Sequence, residues 1–133
     1  MYNFVIIRLV IIMECIFCKI IKGEIPSKKI YEDERVLAFL DINPMSPGHT
    51  LVIPKKHTLD SQTIDKDELI YILDVVRKLS INITNKMGAD GYSIIQNNGI
   101  AQDVKHFHIH IIPRYKDKIE MDTDMAHKKI TQG

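Results

Sequence analysis

Residues 106–112 read His-Phe-His-Ile-His-Ile-Ile. Successive side chains of a β-strand point to opposite faces, so the three histidines are predicted to share one face and the apolar residues between them the other. Neighbouring imidazoles would lie about 7 Å apart along such a strand. Core packing explains the apolar face but leaves the polar face unexplained. A neutral imidazole is a nucleophile and a protonated one stabilises an anion, so the row predicts a site for phosphate chemistry.

The rest of the chain supplies partners for this strand. Segments with the composition of strands and turns between them are 29–32, 35–41, 49–54, 92–96 and 104–114. From Asp65 to Met87 apolar residues recur every three or four positions, which predicts a long helix with Thr63 or Asp65 as its N-cap and Gly88 as its end. A short helix is predicted over 17–22. The order of elements predicts an α+β fold, with a five-stranded antiparallel sheet, one long helix and one short helix.

The composition is that of one domain with one site. The 133 residues are 45% hydrophobic and 26% charged, which suffices for a single core. The net charge is only +1 and the basic residues are dispersed. No large positive field is expected, which argues against a nucleic-acid polymer or a membrane as partner and for a small substrate held locally.

The first twelve residues form an apolar run that is too short to span a bilayer. Arg8 interrupts the run and no small-residue cleavage motif follows, which disfavours a secretory signal and predicts a cytoplasmic protein. We expect residues 1–12 to be an extension upstream of a natural start at Met13; an edge strand or a hydrophobic anchor is the alternative. The domain is predicted over 13–116, and 117–133 as a tail without a strong pattern, mobile or packed on a partner subunit.

Two cysteines, Cys15 and Cys18, are separated by two residues. A disulfide would close a very small loop there and add little stability, so metal or redox use is favoured. A thioredoxin-like redox pair lacks its usual βαβ context in this sequence. The pair alone is half of a metal site, because zinc takes four ligands.

The segment HFHIHII resembles the His-φ-His-φ-His-φ-φ signature of histidine-triad (HIT) proteins, in which φ is apolar. The likeness extends from Cys15 to about Tyr115 and includes the blocks CIFCKIIKGEIP, YEDERVLAFLDI, GHTLVIPKKH, QNNG and HFHIHIIPR. Several blocks in the right order make the resemblance specific. It implies a HIT-like fold, similar to that of the Hint branch, and a homodimer.

The resemblance implies hydrolysis or transfer at the α-phosphate of purine nucleoside phosphoramidates, or of related adenylated or dinucleoside polyphosphate compounds. His108 would be the nucleophile and form a nucleotidyl-histidine that water then hydrolyses. His110 would bind phosphate oxygens or the leaving group. His49 would orient the triad, although a lone histidine at a strand end can also lack any role.

The resemblance also assigns substrate contacts. Asp41 would accept hydrogen bonds from ribose hydroxyls, and the side-chain amides of Asn97 and Gln102 would donate to phosphate oxygens. A slot for the base would be formed by Phe17, Phe39 and Ile42, with Ile25 as a further candidate; core packing is the alternative for these apolar residues. Residues 100–104 are shorter than the matching stretch in many relatives, and Asp103 replaces a frequent hydroxyl residue, which leaves the role of that position open.

For the metal, the resemblance suggests His57 and His106 as the partners of Cys15 and Cys18. Four protein ligands would make a closed set and hence a structural Zn²⁺. A rival interpretation makes His106 and His108 ligands of a catalytic zinc that activates water. Another treats the protein as a zinc-stabilised nucleotide-binding or scaffolding module without turnover.

Overall fold

The computed structural model describes residues 15–133 and confirms the predicted α+β fold. Its strands are β1 (Lys29–Glu32), β2 (Val36–Leu40), β3 (Thr50–Pro54), β4 (Gly91–Gln96) and β5 (Ile109–Arg114). All neighbouring pairs are antiparallel, in the order β1-β2-β3-β5-β4. The α-helices of the described residues are α1 (Ile16–Ile21), α2 (Lys66–Met87) and α3 (Thr123–Gln132). The prediction for residues 1–12 lies outside the described part.

The sheet has a different cover on each face. Apolar residues that face α2 include Val36, Ala38, Leu40, Val52, Ile109 and Ile111. The alternate residues of β2 and β3 pack with α1 on the opposite face, and they are Leu37, Phe39, Leu51 and Ile53. Every residue of these two central strands is buried as a result. The α1 face is the one that carries the histidines.

The long helix α2 has the bounds that the sequence predicts. The carboxylate of Asp65 accepts a hydrogen bond from the Asp67 N–H and caps its start. Gly88 ends it in the left-handed conformation, with φ of 64°, which glycine adopts without steric strain. No helix among residues 15–133 has both the length and the apolar composition needed to cross a bilayer.

The C-terminal segment differs from its prediction as a patternless tail. It contains α3, which Asp122 caps and which packs on its own chain. Ala126 and Ile130 are buried in the core against α2, and His127 donates a hydrogen bond to a main-chain carbonyl of β1. Two buried residues four positions apart are too weak a periodic signal to identify a ten-residue helix from sequence.

The last strand is shorter than predicted, because β5 begins at Ile109 and not at Val104. Its neighbours explain the difference: β4 ends at Gln96, which pairs with Ile109, and β3 ends at a proline, which has no N–H to donate. The Phe107 N–H instead donates to the Thr58 carbonyl at 2.7 Å. His106 and His108 therefore precede the regular strand.

The predicted alternation nevertheless continues through these residues. Phe107 and Ile109 are buried in the core beside α2. His106 and His108 contact Phe17 of α1, so they lie on the other side of the sheet. The histidine row therefore has one common face, although only His110 lies in β5.

Candidate functional site

His106 is held with one ring nitrogen toward the protein backbone and the other toward two thiols. Its Nε2 lies 2.8 Å from the carbonyl oxygen of Pro54, so Nε2–H donates there. A neutral ring then has its lone pair on Nδ1. That atom lies 3.4 Å from the Cys15 Sγ and 3.6 Å from the Cys18 Sγ. A carbonyl that fixes the far nitrogen is a common arrangement around metal-binding histidines.

His57 completes a group of four donors. Its Nδ1 lies 3.2 Å from the Cys18 Sγ, and one atom each of Cys15, Cys18, His57 and His106 fall within 4.8 Å of one another. Tetrahedral zinc with ordinary ligand distances would place sulfur and nitrogen about 3.6 Å apart. The observed spacing and the Cys₂His₂ chemistry therefore fit Zn²⁺. The set does not include His108, as the catalytic-zinc interpretation would require.

Local structure and burial prepare this group for a cation. Cys15 is the N-cap of α1 and its sulfur accepts from the Cys18 N–H, which brings the two thiols together within one turn. Burial raises the pKa of Cys18 to about 12 and lowers the pKa of His106 to about 4. The histidine is therefore neutral, as a ligand must be, and the thiol needs a cation to ionise at neutral pH.

His108 has the opposite orientation from His106. Its Nδ1 lies 2.7 Å from the His106 carbonyl oxygen and donates to it. In the neutral ring the lone pair is then on Nε2. The imidazole is 1% exposed and meets the Phe17 ring edge to face, with centroids 5.1 Å apart. Backbone and aromatic contacts thus fix the nitrogen that would attack phosphorus.

His49 and His110 form a hydrogen-bonded chain beside His108. The Met45 N–H donates to the His49 Nδ1 at 3.0 Å, so the proton of a neutral His49 lies on Nε2. That Nε2 is 2.9 Å from the His110 Nδ1 and donates to it. The proton of a neutral His110 is consequently on its Nε2. The rings of His108 and His110 are in contact at 4.9 Å between centroids.

Electrostatics favour the neutral form of this chain. Burial lowers the pKa of His49 and of His110, although Asp41 opposes the shift in both. The Asp41 carboxylate is 3.6 Å from the His49 Nε2, which is too long for a hydrogen bond. Asp41, His49 and His110 also have a spacing that could suit a metal ion. Because the His49 Nε2 carries its proton, we interpret this group as a hydrogen-bonded chain.

The loop between β2 and β3 positions His49. Asp41 accepts the Asn43 N–H at its start, and the Ser46 hydroxyl donates to the carbonyl of Pro113. Gly48 has a φ of +90°, and a Cβ there would lie 3.1 Å from the Pro113 ring and 3.2 Å from the Met87 side chain. The close packing of this loop holds the Met45 N–H in line with the imidazole.

The predicted base-binding residues divide into two environments. Phe17 and Phe39 are buried on the α1 face and contact each other edge to face, at 5.6 Å between centroids. Ile25 is half-buried beside them. Ile42 is 81% exposed on the loop that precedes His49. The two phenylalanines therefore have core contacts, and Ile42 is the member most open to a ligand.

The predicted phosphate-binding amides lie on the segment that leads to the histidines. Gln102 is buried and its side-chain nitrogen donates to the carbonyl of Leu59 at 2.5 Å, so the amide already has a protein partner. Asn97 follows β4 directly and is half-buried. Asp103, whose role the sequence leaves open, places its Oδ1 3.3 Å from the His108 Nε2.

Main-chain groups are the part of the site that sequence reasoning missed. The carbonyls of Pro54 and His106 and the N–H of Met45 decide which nitrogen of each histidine carries a proton. Side-chain patterns contain no signal for them. The Pro47-Gly48 pair does mark the tight loop that positions one of the three.

Comparison with known proteins gives consistent matches over most of the chain. The model of the HIT domain matches residues 22–117. An uncharacterized HIT-like protein of Methanocaldococcus jannaschii is 56% identical over 104 residues, which are 77% of this chain and 80% of that protein. The adenosine 5'-monophosphoramidase hnt1 of Schizosaccharomyces pombe is 48% identical over 104 residues, which are 77% of this chain and 75% of that enzyme.

Solved structures agree in fold. A HIT-like protein from Bartonella henselae superposes with a TM-score of 0.83 at 41% identity and covers 90% of this chain and 95% of its own. A zinc-bound histidine-triad family protein from Mycobacterium smegmatis has a TM-score of 0.79 at 34% identity, with 91% and 96% covered. The residues that match the HIT domain model, 22–117, include all the histidines of both groups.

Proposed function

This chain belongs to the histidine-triad (HIT) domain family, and from that premise we propose that it is a nucleotide hydrolase or transferase in which His108 is the nucleophile. The observation that carries the proposal is the hydrogen bond from the His108 Nδ1–H to the His106 carbonyl, which leaves the lone pair on Nε2. Support comes from a relative 48% identical to this chain that is named an adenosine 5'-monophosphoramidase.

The proposed reaction proceeds in two displacements at the α-phosphorus. The His108 Nε2 attacks phosphorus, the N–P bond forms, and the bond from phosphorus to the leaving amine or phosphate breaks; the leaving group takes up a proton from solvent. Water then attacks phosphorus and loses a proton to solvent, the N–P bond breaks, and the nucleoside monophosphate and the neutral His108 are released. The His106 carbonyl accepts from Nδ1 in both steps and stabilises the positive charge that develops on the ring.

His110 would stabilise the phosphate during both displacements. Its Nδ1 accepts from the His49 Nε2–H, and the proton that remains on its own Nε2 can donate to a phosphate oxygen. The bond from Met45 to His49 fixes the donor direction of the whole chain. No proton has to change sites before the phosphate binds.

We propose further that Cys15, Cys18, His57 and His106 hold a structural Zn²⁺. When bound, the ion would charge-neutralise the two thiolates and tie α1 to the segment before β5. The binding role of the substrate residues follows the resemblance: purine against Ile42 and the neighbouring apolar residues, ribose at Asp41, and phosphate near Asn97. Gln102 is buried and its side-chain nitrogen donates to the Leu59 carbonyl, so we propose that it holds the segment before the histidines and does not contact the phosphate.

A trapping experiment tests the catalytic proposal. Purified protein is mixed with adenosine 5'-phosphoramidate, denatured within milliseconds, and digested for mass spectrometry. We expect AMP on the peptide that contains His108. His108→Ala should lose the adduct and lower kcat by at least about a thousandfold, as is usual when a nucleophile is removed.

His127→Ala is the matched control, because His127 lies on α3 and its contact is with the β1 backbone. It should retain the adduct and the rate. Tight nucleotide binding without any adduct, and with His108→Ala equal to wild type, would instead support the binding or scaffolding module.

We also propose a homodimer that forms at the free edge of β4. In the described residues β4 pairs with β5 alone, and its Tyr92 and Ile94 are 44% and 49% exposed. An unpaired strand with exposed apolar side chains is a common site of association. Sedimentation should give a dimer for wild type and a monomer for Ile94→Lys.

We propose that the protein is cytoplasmic. Cys15 and Cys18 are free thiols, the state that the reducing cytosol maintains. Fractionation of cells that express the tagged chain would test this location.

A further inference from the structure

The segment that carries Asp103 is held in place on several sides. Gln102 is buried and donates to the Leu59 carbonyl, and the Lys105 ammonium donates to the carbonyls of Gly99 and Gln102. The Val104 N–H donates to the Asp103 Oδ1 at 2.9 Å. These contacts set the position of the carboxylate although the side chain is exposed.

The same oxygen lies next to the nucleophile. The Asp103 Oδ1 is 3.3 Å from the His108 Nε2, the nitrogen that bears the lone pair in the neutral ring. The Asp103 side chain is 78% exposed and that of His108 1% exposed. A negative charge therefore lies where the buried imidazole meets solvent, beside the atom that must contact phosphorus.

A second carboxylate strengthens the negative potential. Asp41 is half-buried, 3.6 Å from the His49 Nε2. Both Asp41 and Asp103 act to raise the pKa of His110, though burial outweighs them and lowers it. The His49–His110 chain is uncharged in the tautomers derived above, so it does not neutralise these carboxylates. Cations also lie near this group: the Lys105 ammonium binds the Gln102 carbonyl, and Arg114 acts to lower the pKa of His49. The charge nearest the His108 Nε2 is nevertheless the Asp103 carboxylate, so the potential at that atom is unfavourable for an anionic leaving group.

The electrostatic effect of the Asp103 carboxylate on a leaving group depends on the distance between them. In-line attack starts with phosphorus about 3.3 Å from the nucleophile, which puts the first atom of the leaving group about 5 Å from it. The first atom of the leaving group then lies within about 8 Å of the Asp103 Oδ1, given the 3.3 Å contact to the His108 Nε2. That is no more than one Debye length at physiological ionic strength, so screening is incomplete.

We infer that Asp103 is a specificity-determining residue: its carboxylate disfavours nucleotide conjugates with anionic leaving groups and so selects phosphoramidates of neutral or cationic amines. The inference rests on the proposed function, since it concerns the choice of substrate at that site. It applies to the charge of the leaving group and not to the α-phosphate, which all the candidate substrates share.

A matched pair of substrates tests the inference. AMP joined through a P–N bond to β-alanine has a carboxylate on its leaving amine, and the methyl ester of the same compound lacks that charge. Wild-type enzyme should have the higher kcat/KM for the ester. Asp103→Asn preserves the shape and removes the charge, and should shrink this preference by about two- to fourfold. Raising the salt concentration to 0.5 M should shrink it more in wild type than in the variant, which retains only the Asp41 charge.

Asp74→Asn is the control, because Asp74 is an exposed carboxylate on α2, on the other side of the sheet. It should keep the wild-type preference. Asp103→Ser provides a second neutral side chain, and melting curves of both Asp103 variants confirm folding. An unchanged ratio in folded Asp103→Asn and Asp103→Ser, with wild type active, would overturn the inference alone. Wild type that hydrolyses neither compound and forms no adduct would overturn the proposed function and the inference with it.

Discussion

The two ends of the histidine row use the same side chain for different purposes. At one end His106 is buried, donates to the Pro54 carbonyl and directs its Nδ1 at two thiols. At the other end His110 accepts from His49 and keeps a proton on its Nε2. Four residues apart, one imidazole is oriented with a lone pair toward the thiols and the other keeps an N–H that can donate.

The difference comes from the partner of the second nitrogen. When a carbonyl oxygen contacts one nitrogen of a neutral imidazole, that nitrogen carries the proton and the second nitrogen has the lone pair. When an N–H group contacts one nitrogen, that nitrogen has the lone pair and the second carries the proton. His108 lies between the two ends and follows the carbonyl rule, with His106 as its acceptor. Identical residue types thus receive distinct chemistry from main-chain groups.

Removing a thiol should abolish metal binding at the His106 end of the row and should have the largest effect on stability. We expect Cys15→Ser to lose the zinc and to lower the free energy of unfolding by roughly 3 kcal/mol or more, because binding of a structural metal contributes directly to folding. Metal analysis of the purified protein and urea unfolding would measure both. His127→Ala should keep one zinc per chain; a full zinc content in Cys15→Ser would contradict the assigned ligand set.

Substitution of His110 should lower activity without changing the zinc content. His110→Ala removes one donor to the phosphate, so kcat/KM for adenosine 5'-phosphoramidate should fall by about a hundredfold. The zinc content should stay at the wild-type level, since His110 is outside the Cys₂His₂ group. Loss of zinc in this variant would show that the two ends are not separate.

The smallest expected effect is that of low pH on stability, and it tests the protonation state of His49 at the second end of the row. Burial lowers the pKa of His49 in the folded protein, so folding favours its neutral form. This contribution to the free energy of unfolding is present above the unfolded pKa of about 6.5. It is lost as pH falls below that value, because the unfolded chain binds the proton more readily than the folded one. His49→Gln should therefore lose less stability than wild type between pH 7.5 and 5.5.

Urea midpoints at the two pH values would measure this, with zinc content followed in parallel. His127→Gln serves as the control and should follow wild type, since His127 is half-buried on α3 and lies outside the His49–His110 chain. Equal losses for wild type and His49→Gln would refute the assignment of a buried neutral imidazole.

The sequence predicts those features that depend on side-chain periodicity. The apolar repeat over residues 65–87 defines α2 within one residue, and the alternation at 106–112 gives the two faces correctly. The start of β5 could not be read this way, since it depends on where β3 and β4 end. The proposed metal ligands His57 and His106 were assigned from resemblance to a family, because the spacing of Cys15 and Cys18 defines only half of the set.

Other features depend on contacts between distant segments and on the backbone. The N–H of Met45 and the carbonyl of Pro54 set proton positions on histidines that are 4 and 52 residues away in the chain. Likewise, the sequence does not show that Asp103 lies beside His108, the proposed nucleophile, because only the fold brings the two together. Composition and periodicity do not encode such relations.

Phe17 touches both His106 and His108 with its ring, at 5.8 and 5.1 Å between centroids. One aromatic ring thus packs against both the proposed zinc ligand and the proposed nucleophile. Any substitution at position 17 must satisfy both at once, so laboratory evolution toward a new substrate is expected to leave this position unchanged and to vary the open loop around Ile42 first.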